Sequence, residues 1–195
     1  MIDTTALTPA CSRRLVLRGT GLAVLSAGAV ALLGGGEALA QGVARPSADA
    51  DILNVALGLE HEAVAAYQLG AESGLLQKPV LDVALLFQSH HKQHRDAIAA
   101  AVRKLGGQPV AEKGKAEYAR MLNAGALTSQ TDVIVLAAKL ERAAANAYLG
   151  AIPAFTEKSL GQVAARLAAD ETMHWTALAG AAGETLPAEA LSFGA

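Results

Sequence analysis

Ala169-Asp170-Glu171-Thr172-Met173-His174-Trp175 is the stretch on which the reading of this chain turns. Glu171 and His174 are spaced i, i+3, so on a helix they project side by side from neighbouring turns. They fall in an apolar stripe that also holds Leu167, Leu178 and Ala181, and therefore point inward. A carboxylate on the buried face of a helix is costly unless a cation or several hydrogen bonds meet it there. The question is what meets this one.

Moving outward by 80 residues aligns His91 with Glu171, His94 with His174 and Ala97 with Ala177. An offset of 81 lays Leu59 on Leu140, Glu60 on Glu141 and Tyr67 on Tyr148. The chain thus reads as two copies of one unit, whose equivalent residues should meet across a pseudo-twofold axis. Each unit is a pair of helices. The first is expected from about Asp49 to Gly70, with Ser47 or Asp49 as its cap. The second starts near Pro79 and ends at Gly106-Gly107. The third follows Thr128-Ser129-Gln130-Thr131-Asp132 and reaches Gly150 or Pro153, and the fourth spans about Leu160 to Gly183. Four apolar stripes need a shared core, so the expected fold is all-α, a four-helix bundle of two hairpins. Residues Gln108 to Gln130 make a long crossover between the hairpins. The bundle is expected over residues 49–183, followed by a loosely packed tail, 184–195.

Glu60 and Tyr67 lie two turns apart on one face, as do Glu141 and Tyr148. On the second helix, His91 and His94 share a stripe with Ala84, Phe87, Ile98 and Val102. Three inward carboxylates, Glu60, Glu141 and Glu171, therefore face three inward imidazoles, and no Lys or Arg shares that face at these levels. Imidazole and carboxylate together suit iron, manganese or zinc. The competing reading is a set of hydrogen-bonded core residues. All five histidines (His61, His90, His91, His94 and His174) lie at or beside these positions, which favours a metal over coincidence. His61 and Glu62 are turned about 100° and 200° from Glu60 and are expected on the outer face or behind the ligands. His90 is expected on a solvated face, a place behind the ligands being the alternative. Tyr67 and Tyr148 are read as packing residues with satisfied hydroxyls, hydrogen bonding to the ligands being the alternative. Trp175 is read as packing.

The first forty residues read as a targeting segment. Ser12-Arg13-Arg14-Leu15-Val16-Leu17-Arg18 precedes a Gly- and Ala-rich apolar run, Gly19 to Gly36, and the small-x-small pattern Ala38-Leu39-Ala40. That is the order of a twin-arginine export signal over residues 1–40, with a linker at 41–48. The expected location is periplasmic or otherwise exported, with membrane contact only through the signal. The one cysteine, Cys11, lies in the signal, so the remaining chain has no thiol for a disulfide, an iron–sulfur cluster or a Cys-ligated zinc. A net charge of −2 offers no basic field for phosphates, and nucleic acid is not an expected partner.

Glu60, the pair ending in His94, Glu141 and Glu171-x-x-His174 resemble the pattern of the ferritin-like di-iron carboxylate proteins, especially the exported bacterial ferritin-like domains that include desiccation-related proteins. The resemblance covers about Asp49 to Gly183. It implies a ferritin-like bundle with the metal ligands Glu60, His91, His94, Glu141, Glu171 and His174, and with Tyr67 and Tyr148 behind them. The implied cofactor is iron, one or two ions, with manganese or zinc as alternatives. The implied function is an oxidase or a peroxide- and stress-protective redox role, with oxygen or peroxide as reactant; a homodimer is left open. His91 stands where the family pattern has Glu, which removes a carboxylate able to bridge two ions. A non-catalytic structural or zinc-binding stress protein is the alternative that this change favours.

Overall fold

The computed structural model describes residues 47–194. The signal at 1–40 and linker residues 41–46 lie outside the described residues. Those described are helical throughout: α1 (Ala48–Glu72), α2 (Lys78–Lys104), α3 (Lys115–Met121), α4 (Gln130–Ala151) and α5 (Lys158–Ala181), with single 3₁₀ turns at Ala124–Ala126 and Ile152–Ala154. The architecture is all-α, and none of these helices is long and apolar enough to cross a membrane.

The helices start where side chains can satisfy their first N–H groups. Ser47 Oγ accepts from the Ala50 N–H at 3.2 Å. Pro79 occupies the first turn of α2, where its missing N–H costs nothing. Ser129 and Asp132 form a reciprocal capping box on α4. Asp49, the other residue expected to cap α1, has a different task. It is buried and accepts hydrogen bonds from the Thr156 N–H (2.9 Å) and hydroxyl (2.7 Å) and from the Glu157 N–H (3.0 Å). It thereby ties the start of α1 to the start of α5. At the same end of the first hairpin, Gly106 adopts φ +79°, the left-handed conformation that closes α2 without a Cβ clash.

α1 packs along α2 and α4 along α5, and α1 also meets α4 directly. A Cβ on Gly70 would lie 2.9 Å from Val133 Cγ1, so the bare glycine permits that close α1–α4 approach. The α2 and α5 backbones stay further apart, and side chains alone cross the seam between them. Apolar burial falls in two layers. Leu53, Leu57, Ile98, Val102 and Leu167 fill one end of the bundle, and Ala84, Phe87, Ile134, Ala138 and Leu178 fill the other. Between them the bundle is polar.

Two local expectations change, those for Ala181 and for the tail. Ala181 is exposed and Ala182 packs in its place, because the inward stripe of α5 steps from Leu178 by i+4 rather than i+3. The crossover is long, as expected, and has contacts of its own. The Asn54 side chain donates to the Gln108 carbonyl (2.9 Å) and accepts from the Val110 N–H (2.8 Å), and the short α3 buries Tyr118. The tail is docked rather than loose. The Phe193 ring meets Trp175 edge to face at 5.0 Å, and the Arg142 guanidinium lies 5.3 Å from the Trp175 ring and 5.1 Å from Phe193. Gly194 N–H donates to Asn146 Oδ1 at 2.8 Å.

Candidate metal centre

Glu60 from α1, His91 and His94 from α2, Glu141 from α4, and Glu171 and His174 from α5 converge in the polar middle of the bundle. All six are buried. They form two overlapping sets, Glu60/His91/His94/Glu171 and His91/Glu141/Glu171/His174, in each of which the potential donor atoms lie within 4.8 Å of one another. His91 and Glu171 belong to both. The i, i+3 spacing on α5 places His174 Nδ1 3.2 Å from Glu171 Oε2, and Glu141 Oε2 is 3.4 Å away. On the other side, His94 Nδ1 lies 3.3 Å from Glu171 Oε1 and 3.7 Å from Glu60 Oε1.

His91 stands between the sets. Its Nδ1 lies 2.8 Å from Glu60 Oε2, and its Nε2 lies 3.1 Å from Glu141 Oε1. The tyrosines complete the shell in a crossed manner. The Tyr67 hydroxyl donates to Glu141, and the Tyr148 hydroxyl donates to Glu60. Because α1 and α4 run antiparallel, a residue two turns along one helix comes level with the glutamate of the other. Both rings are buried and both hydroxyls are satisfied, so the packing role and the contact with candidate ligands hold together.

Two residues at this site are not exposed by simple stripe arithmetic. His90, expected on a solvated face ahead of a place behind the ligands, is half-buried, and its Nδ1 lies 2.9 Å from His174 Nε2, as in the alternative. The expectation fails because α2 and α5 stand apart, so a residue on the flank of α2 fills the gap. Asp170 has the mirror position, with Oδ2 3.3 Å from His94 Nε2. The 80-residue offset pairs His90 with Asp170 and was the available signal. His61 lies against the crossover, its Nε2 3.1 Å from the Val110 carbonyl, and Glu62 beside it is half-buried.

Without a metal the six groups neutralise one another. Burial alone would raise Glu60, but hydrogen bonds with His91 and then His94 override it and hold the carboxyl at about 2. Burial would lower His91, yet hydrogen bonds to Glu141 and Glu60 push it up to about 11. His94 is likewise driven up against its burial, to about 10, by Glu171 and Glu60. Glu141 is held far below the carboxylate range, and His174 is raised, each against the effect of burial and through their mutual hydrogen bonding. Glu171 moves the opposite way to the other carboxyls, because burial outweighs its hydrogen bonds with His174 and His94.

Protons alone do not complete the network. His94 Nδ1, Glu141 Oε2 and Glu171 Oε1 are buried with only long, poorly aligned contacts, His94 Nδ1 to Glu171 Oε1 at 3.3 Å and His174 Nδ1 to Glu141 Oε2 at 3.4 Å; His61 Nδ1, outside the centre, is also without a partner. Such atoms are rare in a folded interior, and the first three belong to residues of the two overlapping sets. Imidazole Nδ1 and carboxylate oxygen are donors suited to a divalent transition ion, so the residues present fit one.

An antiparallel pair of helical hairpins, with a buried Glu/His centre between them, defines a helical-bundle protein whose core can hold metal. Residues 48–184 match the family of ferritin-like domains, and the chain belongs to that family. No curated protein matches it.

Proposed function

We propose that this protein holds one or two iron or manganese ions in the bundle core, through Glu60, His91, His94, Glu141, Glu171 and His174, and uses them in an oxidase or peroxide-protective redox reaction. The observation that carries this reading is the pair of four-residue sets sharing His91 and Glu171, with poorly partnered donor atoms among them. A bound redox ion would supply electrons to oxygen or peroxide. The chain's own residues supply the setting. The apolar layers around Leu57 and Phe87 exclude water from either end. Tyr67 and Tyr148 donate hydrogen bonds to Oε1 of Glu141 and of Glu60, which holds these carboxylates in place. Iron(II) added to the protein with peroxide is expected to be oxidised faster than in buffer, and Glu171→Ala should remove the difference. Equal rates with wild type, variant and buffer would exclude the redox role.

A second reading is favoured by His91, whose two ring nitrogens already engage Glu60 and Glu141. In that reading the bundle is a stress-related structural protein that holds zinc, or a protonated His91, with no turnover. Tight zinc binding without peroxide consumption by the iron-supplied protein would select it.

Export through the twin-arginine route is part of the proposal, supported by Arg13-Arg14 and the apolar run that follows. It would let a metal inserted in the cytoplasm leave with the folded chain. Changing Arg13 and Arg14 together to Lys is expected to leave precursor in the cytoplasm. Unaltered export of that variant would count against the route.

A further inference from the structure

The two candidate half-sites have similar inner residues but different backing. His94 Nδ1 faces Glu171 and Glu60, while its Nε2 meets the carboxylate of Asp170 at 3.3 Å. His174 Nδ1 faces Glu171 and Glu141, while its Nε2 meets His90 Nδ1 at 2.9 Å. If Nδ1 is the atom offered to a metal, Nε2 carries the hydrogen and donates outward. His94 then donates to an anion. His174 donates to His90 Nδ1, which must be the unprotonated nitrogen of a neutral imidazole. A carboxylate behind a ligating imidazole raises its basicity, and an imidazole acceptor does so less.

Solvent access differs in the same sense. His94 is 9% exposed, whereas Glu60, His91, Glu141, Glu171 and His174 are each at 1% or less. The Asp170 side chain is 44% exposed and touches His94. On the opposite side Tyr67 and Tyr148 are buried over the two glutamates. The centre is therefore least covered at the α2–α5 seam, beside Asp170. His91 adds a further inequality, because a neutral imidazole has one free lone pair and can serve only one ion.

We propose that the centre fills in a fixed order, the first ion passing Asp170 to the Glu60/His91/His94/Glu171 set and the second taking the weaker Glu141/Glu171/His174 set. His90 is the positioning residue that sets the inequality, since it stands where the other half has Asp170. This rests on the metal-centre reading.

Anaerobic titration with cobalt(II), followed by heat and by the visible absorption of the ion, tests it. Wild type should bind in two steps, the first at least about tenfold tighter. His90→Asp should tighten the second step by about tenfold, shift the cobalt absorption that accompanies it, and leave the first unchanged. The reciprocal Asp170→His should weaken the first step by a similar factor and slow uptake, so the inference does not depend on one variant folding. Two equal steps, a single step, or a second step unmoved by His90→Asp in a folded protein would overturn the order of filling while leaving the metal centre standing. No uptake of cobalt(II) by wild type would overturn both.

Discussion

Glu171→Ala is expected to empty the whole centre, whereas Glu60→Ala and Glu141→Ala should each weaken one half. Glu171 is the only carboxylate common to both ligand sets, with one oxygen turned toward His94 and the other toward His174. Its loss takes a donor from each ion at once. A ligand at about a hundred times its dissociation constant stabilises the folded state by about 2.7 kcal/mol, so the variant should also lack the rise in melting temperature expected of wild type with metal. Glu171→Gln separates the competing readings. This carboxylate is fully buried, with Oε1 poorly partnered. In the metal-free protein the amide should leave stability unchanged or raise it, since a poorly compensated buried charge is removed. In metal-loaded protein it should destabilise. Wild-type metal content in Glu171→Ala, measured after gel filtration, would contradict the assignment. His91→Glu restores a second shared carboxylate and should strengthen binding of a second ion.

The response to pH is the next largest expected effect, and it differs between the loaded and metal-free proteins. His91 and His94 rise from an ordinary 6.5 to about 11 and about 10 in the folded state. The stability they contribute is therefore complete below 6.5 and is lost as pH climbs through their folded values. Glu60 is depressed from 4.5 to about 2, so its contribution is complete above 4.5 and is lost as pH falls toward 2. The metal-free bundle should thus melt highest between pH 4.5 and 6.5 and lose stability progressively on the alkaline side. A metal must displace the same imidazole protons, so its affinity should rise over the range in which the metal-free protein weakens. Melting curves from pH 5 to 9, with and without zinc, read both trends. Zinc affinity that does not change with pH, or metal-free stability that rises steadily toward pH 9, would contradict the ion-paired network described here.

The sequence carried the bundle and the six inward residues because both repeat. Ala-rich stretches broken by Gly and Pro mark the helices, and offsets of 80 and 81 superpose the halves, so Glu60, Glu141, Glu171 and the three imidazoles could be placed on one level. What was not legible depends on how the helices sit against one another. Stripe arithmetic puts His90 about 100° from His91 and cannot say that α2 and α5 leave a seam for it to fill. Tyr67 shares a face with Glu60 along α1, but only the antiparallel α1–α4 contact shows that its hydroxyl belongs to Glu141. Asp49 looks like a local helix cap, yet its partners at Thr156 and Glu157 lie more than a hundred residues away. Phe193 has no periodic context, and its docking on Arg142 and Trp175 follows from geometry alone. The short α3 is too brief and too polar for a periodic signal.

The three buried glutamates and three buried histidines are proposed to be a metal centre. Elemental analysis of the protein purified from its own host, followed by anaerobic titration of the stripped protein with iron(II), manganese(II) and zinc(II), tests it most directly. At least about one transition ion per chain is expected to stay bound through gel filtration, and the melting temperature to rise on readdition, as mass action on the folded state requires. Protein that carries no metal from its host, takes up none of the three ions and melts at the same temperature in their presence would contradict it.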